Sequence, residues 1–294
     1  MSPSTIQIII LAMIQGAAEL LPVSSSAHVI VAEKLMSLEP ASPEMMFLMI
    51  MLHTGTMLAV IAYFWKSWKG SFFANKETAA AAAFRIGIAS AVTVVLTMLL
   101  KTVIEHTVLR GRPGAAIEDL SDNLYLVAFD LAVAGALIVV AGTRPASPSE
   151  IPPPGSPADP VPPGSAVIIG AVQGLSLPFR GLSRSGATIS AGMLLGIPKR
   201  AAEEFSFALA VVITPPIIAR EYVRFHASRL AAHGSVHVAA LVTPGLMGMA
   251  FSFLAGLLAL KWLSGWLEKG RWHYFGFYCF AAAAGVCVLA ARGY

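Results

Sequence analysis

Two short stretches of this chain concentrate side chains able to do acid–base, nucleophilic and anion-binding chemistry. The first runs from Gln15 through Glu19 to three consecutive serines, Ser24, Ser25 and Ser26, and then His28. The second holds Arg180, Ser183, Arg184, Ser185, Gly186 and Thr188. A carboxylate, an imidazole and hydroxyls are the residue types of general acid–base and nucleophilic catalysis. Ser-Arg-Ser-Gly-Ala-Thr at a helix start suits an oxyanion. Its small residues let backbone N–H groups approach, the helix N-terminus offers partial positive charge, and arginine can bind bidentately. Gln15 sits one helical turn before Glu19, so a helix would put both on one face.

Blander roles compete with each of these. Serines at close helix contacts pack and hydrogen-bond across helices, and Glu19 with Arg184 would make a bracing ion pair. Arg180 could snorkel or hold a loop carbonyl. His53 and Asp130, also inside apolar segments, read as interhelical partners. Glu203 and Glu204 begin an apolar segment and suit its N-terminus. The aromatic run at 272–278 reads as an interfacial belt. A purely structural core, however, has no need of the full inventory in the two stretches together.

The elements that must carry these residues are set by composition. Of 294 residues 56% are apolar and 12% charged, with a mean hydropathy of +0.73; a soluble domain carries about 25% charged residues. Apolar blocks at 44–65, 79–100, 123–143, 202–219, 237–262 and 273–291 approach the ~20 residues a spanning helix needs. Short alternating strands are absent from the pattern, which excludes a barrel. The fold class expected is therefore an all-α polytopic membrane protein with about six transmembrane helices. The first basic residue is Lys34, so the n-region of a cleavable signal is not expected. Cys279 and Cys287, eight residues apart on one helix, would be roughly 12 Å apart, too far for a disulfide. The net charge of +4 fits basic loops beside anionic headgroups. Scattered basic residues without a stripe argue against nucleic acid as a partner.

Residues 145–164 contain nine prolines and read as an extended, solvated linker. They divide a single membrane domain, 1–294, into halves 1–144 and 165–294 that repeat one another. IQGAAELLPVSSSAH at 14–28 and VQGLSLPFRGLSRSGAT at 172–188 share a Gln-Gly pair, a proline and a cluster of small hydroxyl residues. About ten apolar residues flank each on either side, too few for either arm to cross a bilayer. Each unit reads as helix–break–helix, a re-entrant hairpin. Such breaks are tolerated at membrane depth only inside protein or beside a wet cavity, and at matching positions of two halves they point to a midplane site. Three spans follow each hairpin, which makes the arrangement an inverted-topology repeat with the hairpin tips expected to meet.

At these hairpins the sequence resembles the undecaprenyl-pyrophosphate phosphatase family, also known as the bacitracin-resistance family. The resemblance rests on Gln15-Gly16-Ala17-Ala18-Glu19 with Leu21-Pro22-Val23-Ser24-Ser25-Ser26-Ala27-His28. It rests equally on Gly181-Leu182-Ser183-Arg184-Ser185-Gly186-Ala187-Thr188 followed by Ala202-Glu203-Glu204-Phe205-Ser206-Phe207. The stretch 55–60 with Tyr63-Phe64 matches more weakly. This resemblance implies hydrolysis of undecaprenyl diphosphate to the monophosphate, which recycles the lipid carrier of bacterial cell-wall synthesis and confers bacitracin resistance. A divalent cation, magnesium or calcium, is implied, with Glu19 as ligand and Gln15 as a second. A polyprenyl diphosphate is then the substrate, the bacterial inner membrane the location and a homodimer an expectation. Glu19, Ser25, His28 and Arg184 match the family's catalytic residues. Ser183, Ser185 and Thr188 match its phosphate-binding loop, to which Gly186, Ser24 and Ser26 are added here. Two departures stand out. Gln15 replaces a glutamate found in many members, and the second loop, 177–181, is one residue longer than usual, with Arg180 as an extra cation.

Two assignments satisfy these residues. Ser25 attacks the terminal phosphorus with Glu19 or His28 taking its proton, or His28 serves as nucleophile or as the base for water. A different function class, a transporter or flippase for a phosphate-bearing lipid or solute, also uses inverted repeats with broken helices.

Overall fold

The computed structural model describes residues 3–107, 123–144, 161–231 and 238–293, so residues 145–160 of the expected linker lie outside the described residues. Ten helices account for the described elements: α1 (Thr5–Leu20), α2 (Ser25–Leu35), α3 (Pro43–Ser71), α4 (Lys76–Thr107), α5 (Leu124–Thr143), α6 (Pro163–Ser176), α7 (Arg184–Leu194), α8 (Lys199–Ala231), α9 (Val238–Glu268) and α10 (His273–Ala291). Six of them, α3, α4, α5, α8, α9 and α10, are long and apolar enough to cross a membrane. The protein is all-α and polytopic, as composition requires.

The remaining four helices form two helix–break–helix pairs, α1/α2 and α6/α7. With 16, 11, 14 and 11 residues, they reach roughly 16–24 Å, short of the ~30 Å hydrocarbon core. The re-entrant reading is compatible with those lengths. α1 opens on a capping box, in which Ser4 Oγ accepts from the Gln7 N–H and Gln7 Oε1 accepts from the Ser4 N–H. It ends at Leu21, whose extended backbone (φ −72°, ψ 151°) is what a following proline imposes.

Several spans run past their expected ends. α8 continues from Lys199 to Ala231 with Pro215 and Pro216 inside it, where apolarity alone suggested a stop at 219. Proline is tolerated in membrane helices because neighbouring groups re-satisfy the freed backbone. α3 and α4 likewise extend into polar sequence at their ends.

Two compact units make up the chain. One comprises Met1–Leu21, Ser25–Tyr63 and Ala210–Leu263; the other comprises Pro22–Ser24, Phe64–Leu209 and Ser264–Tyr294. In the first, Leu11, Met45, Leu48 and Leu52 form a buried cluster, and Ser252 Oγ donates to the Leu52 carbonyl at 3.0 Å. In the second, α4 and α6 meet along a small-residue seam. A Cβ on Gly170 would sit 2.4 Å from the Ala89 carbonyl oxygen; only glycine permits so close an approach. Thr93 Oγ1 donates to the Gly170 carbonyl at 2.8 Å, and Thr97 Oγ1 to Gly174 at 3.2 Å. This is the packing expected where lipid removes the hydrophobic drive between helices.

Candidate functional site

The first hairpin places its chemistry around the α1–α2 break. Gln15 is buried, and its Nε2 donates to Glu19 Oε2 at 3.3 Å, so the shared face read from the spacing exists. The Ser25 hydroxyl, at the start of α2, donates to the same Glu19 Oε2. A carboxylate that accepts a serine proton is the arrangement of an activated nucleophile. His28 is partly buried one turn further along α2, and Ser26 is partly buried beside Ser25.

The break itself is strained. Ser24 has φ 65°, the left-handed region that costs an ordinary residue roughly 1–2 kcal/mol. Its hydroxyl donates to the Arg180 carbonyl at 2.5 Å. Pro22–Ser24 belong to the unit that also contains the second hairpin. There Cys279 Sγ donates to the Pro22 carbonyl at 3.4 Å, and Gly186 packs beside the Pro22 ring. The turn of the first hairpin and the tip of the second are thus in direct contact, although the sequence separates them by more than 150 residues.

That contact has a covalent test. A Cβ on Gly186 would lie 3.2 Å from the Pro22 Cβ, close to the ~3.5–4.5 Å of a disulfide. Pro22→Cys with Gly186→Cys, in a background of Cys279→Ser and Cys287→Ala, is expected to oxidise within one chain. Intact mass and a non-reducing gel report it; linkage only between chains would contradict the contact.

In the second hairpin, Ser183 caps α7, its Oγ accepting from the Gly186 N–H at 3.2 Å. Ser185 Oγ lies 3.4 Å from Ser183 Oγ. Arg184, the first residue of α7, is partly buried. This is a helix N-terminus with a guanidinium beside it, suited to a phosphate. The Thr188 hydroxyl has partners within the protein: it donates to the Arg184 carbonyl at 2.8 Å and pairs with Ser206 Oγ of α8 at 2.5 Å. Ser206 was not singled out by the sequence reasoning, although it lies in the Glu-Phe-Ser-Phe segment. The Arg180 side chain is exposed; its carbonyl does the bonding.

The other polar residues of the spans have structural partners. Glu203 accepts from Ser264 Oγ at 2.5 Å, and Glu204 from Ser67 Oγ at 2.5 Å and from Arg200 Nε at 3.0 Å. His53 Nδ1 lies 2.9 Å from the Met49 carbonyl of its own helix. Asp130 of α5, buried, accepts from the Gly181 N–H, a contact with the second loop that no sequence signal announced. The aromatic run is not a uniform belt. Trp272 is fully buried and donates to Ser190 Oγ at 3.0 Å, while Tyr274, Phe277 and Tyr278 are exposed. Cys279 and Cys287 are both free thiols.

The family described as bacitracin resistance protein BacA matches residues 8–285. Undecaprenyl-diphosphatase 2 of Acinetobacter baylyi is 52% identical over 97% of this chain and 98% of its own. The undecaprenyl-diphosphatase of Desulfatibacillum aliphaticivorans is 32% identical over 96% of this chain and 98% of its own. That of Rhodopirellula baltica is 30% identical over 98% of each. The match takes in the breaks of both hairpins and five of the six spans entire, with α10 as far as residue 285, and the chain belongs to the bacitracin resistance protein BacA family.

Proposed function

We propose that this protein hydrolyses undecaprenyl diphosphate to undecaprenyl phosphate and inorganic phosphate, returning the lipid carrier to cell-wall synthesis in the bacterial inner membrane. The observation that carries the reading is the Ser25 hydroxyl donating to the Glu19 carboxylate. Six helices fit to span a membrane, together with a phosphate-suited helix terminus, support a lipid diphosphate as substrate, and the names of the relatives agree. Bacitracin resistance follows from the same turnover.

The first hairpin supplies nucleophile and base; the second supplies the anion clamp. Glu19 takes the Ser25 proton as Oγ attacks the terminal phosphorus. The new bond is Ser25 Oγ–P, and the bond that breaks joins that phosphorus to the bridging oxygen. Undecaprenyl phosphate leaves, and the proton that Glu19 took passes to its oxygen through His28, which returns Glu19 to the carboxylate. Water then attacks the phosphoserine, with Glu19 as base; the Ser25 Oγ–P bond breaks, Glu19 returns the proton to Ser25 Oγ, and inorganic phosphate is released. Arg184 and the N–H groups at the start of α7 hold the charge that builds on the phosphoryl oxygens, the principal task in phosphoryl transfer. Ser183 and Ser185 border that terminus.

Among the described residues no group of three or more His, Cys, Asp or Glu side chains could hold a metal ion. The Glu19 carboxylate and the Gln15 amide oxygen are the donors proposed for magnesium or calcium. So sparse a set fits a hard cation that takes most of its oxygen ligands from the substrate phosphates. When bound, the cation supplies charge neutralisation on the diphosphate. Gln15→Glu adds a carboxylate one turn from Glu19, and the cation concentration for half-maximal activity is expected to fall about ten-fold, since ligand charge tunes affinity. A metal titration checks this; an unchanged midpoint would place the cation elsewhere.

The experiment for the function is complementation. In a bacterium depleted of its own undecaprenyl-diphosphate phosphatases, this chain is expected to restore growth, and Ser25→Ala at equal membrane abundance is not. Growth with neither would overturn the reading.

A further inference from the structure

We infer that Asp130 is a positioning residue for phosphate release, acting through a single peptide group on the turn that leads into Ser25. This rests on the hydrolase reading above and adds to it a residue that lies outside both hairpins.

The peptide joining Arg180 to Gly181 is held at both of its polar atoms. Its N–H, on Gly181, donates to the Asp130 carboxyl group of α5. Its carbonyl oxygen, on Arg180, accepts the Ser24 hydroxyl at 2.5 Å. Asp130 and Ser24 are 6% and 5% exposed, so water does not compete well for either bond. The result is one hydrogen-bonded chain, carboxyl to N–H, through the peptide, to Ser24. Bonds in such a chain polarise one another: a carboxyl accepting at the N–H makes the Arg180 carbonyl a better acceptor for Ser24.

Packing fixes the same peptide from the side. A Cβ on Gly181 would fall 2.3 Å from the Val127 carbonyl oxygen and 2.5 Å from the Asp130 Cβ. The loop therefore lies flush on α5, and no side chain fits at that position. Its tip is a turn closed by the Leu182 N–H donating to the Phe179 carbonyl at 3.0 Å, and Asp130 and Ser24 satisfy the central peptide of that turn.

Ser24 is the other end of the chain. Its left-handed backbone (φ 65°) is an unfavourable choice for serine, and the bond to Arg180 offsets it. A serine hydroxyl has one proton. With that proton committed to a carbonyl, the Ser24 hydroxyl is left only lone pairs, which repel a phosphate oxygen. Ser24 thus serves to hold the turn, and the direction in which α2 leaves it, at Ser25, follows from that hold. Removing Asp130 leaves the Gly181 N–H without its acceptor, weakens the Ser24 bond and loosens the residue next to the nucleophile.

The test uses the full chain, purified in detergent, with undecaprenyl diphosphate as the probe and inorganic phosphate release as the signal. Asp130→Ala and Ser24→Ala are each expected to lower kcat about 20- to 100-fold, since each leaves a buried partner unsatisfied, with KM within about three-fold. The double variant is expected to be no more than about two-fold worse than the poorer single variant, because both act through one chain. Asp130→Asn keeps an acceptor for the Gly181 N–H and is expected to return activity to within about five-fold of the parent. Thermal melting of each variant guards against simple unfolding. Should Asp130→Ala fail to fold, the same comparison is made with Asp130→Leu, which removes the acceptor and fills the space, and Ser24→Ala. Losses that multiply in the double variant would overturn the inference, as would an Asp130→Ala protein of near-parental kcat. A parent that releases no phosphate sinks the hydrolase reading; an active parent with independent losses sinks this inference alone.

Discussion

Arg184→Lys is expected to lower kcat/KM for undecaprenyl diphosphate about 10³-fold while leaving the melting temperature within a few degrees, because a phosphoryl-clamping arginine contributes on the order of 10³–10⁵. The residue opens α7, where Ser183 caps the helix and the Gly186 N–H is already turned toward its cap. Lysine preserves the charge but not the planar fork, and it concentrates that charge on one strongly hydrated atom. If charge alone were at work, lysine would restore most of the activity. The proposed clamp demands two parallel N–H bonds to a phosphoryl group, so lysine and alanine should be nearly equally poor. Arg184 is only partly buried, which is why stability should survive. Steady-state kinetics with a thermal melt decides the matter; a lysine variant of near-normal kcat/KM would reduce the clamp to a point charge.

Glu19→Gln carries the second large effect, an expected loss of about 10³-fold in kcat, within the 10²–10⁴ range of a positioned general base. Glutamine retains an oxygen that can accept from Ser25, so the local geometry has little reason to change. What disappears is the ability to take the proton. Ser25→Ala removes the other half of the pair, and the double variant should be scarcely slower than either single one, since members of one catalytic unit are not additive. Multiplying losses would mean that Glu19 and Ser25 work apart, and would return attention to His28 acting on water.

Those two residues were legible in the sequence because their signal is local. Gln15, Glu19 and Ser25 lie within eleven residues of one another, and helical spacing alone brings Gln15 to Glu19. The helix start in the Ser-Arg-Ser-Gly-Ala-Thr run was legible for the same reason, whereas the capping role of Ser183 came only with the structure. The six spans were legible from hydropathy, since lipid demands apolar length whatever the tertiary fold.

What escaped the sequence depends on contacts between distant segments. Asp130 and Gly181, Ser24 and Arg180, and Thr188 and Ser206 are paired by packing, which no spacing rule anticipates. Burial was equally opaque, because in a membrane chain both the core and the lipid face are apolar. Trp272 and Tyr274 looked alike in a run of aromatics, yet one is fully buried and the other half exposed. The helix ends were misjudged where polar residues or prolines interrupt hydropathy without interrupting the helix, as at Pro215 and Pro216. Ser24 is a further case. Serine at φ 65° contradicts local preference, and such local conflicts gather at functional sites.

The most direct measurement of the central claim is phosphate release by the purified chain in detergent micelles, where no compartments exist and a transporter or flippase would give no signal. Undecaprenyl diphosphate should yield inorganic phosphate and undecaprenyl phosphate in equal amounts, with Ser25→Ala and Arg184→Ala close to the protein-free background. A folded parent that leaves the lipid diphosphate intact, with and without magnesium or calcium, would contradict the account.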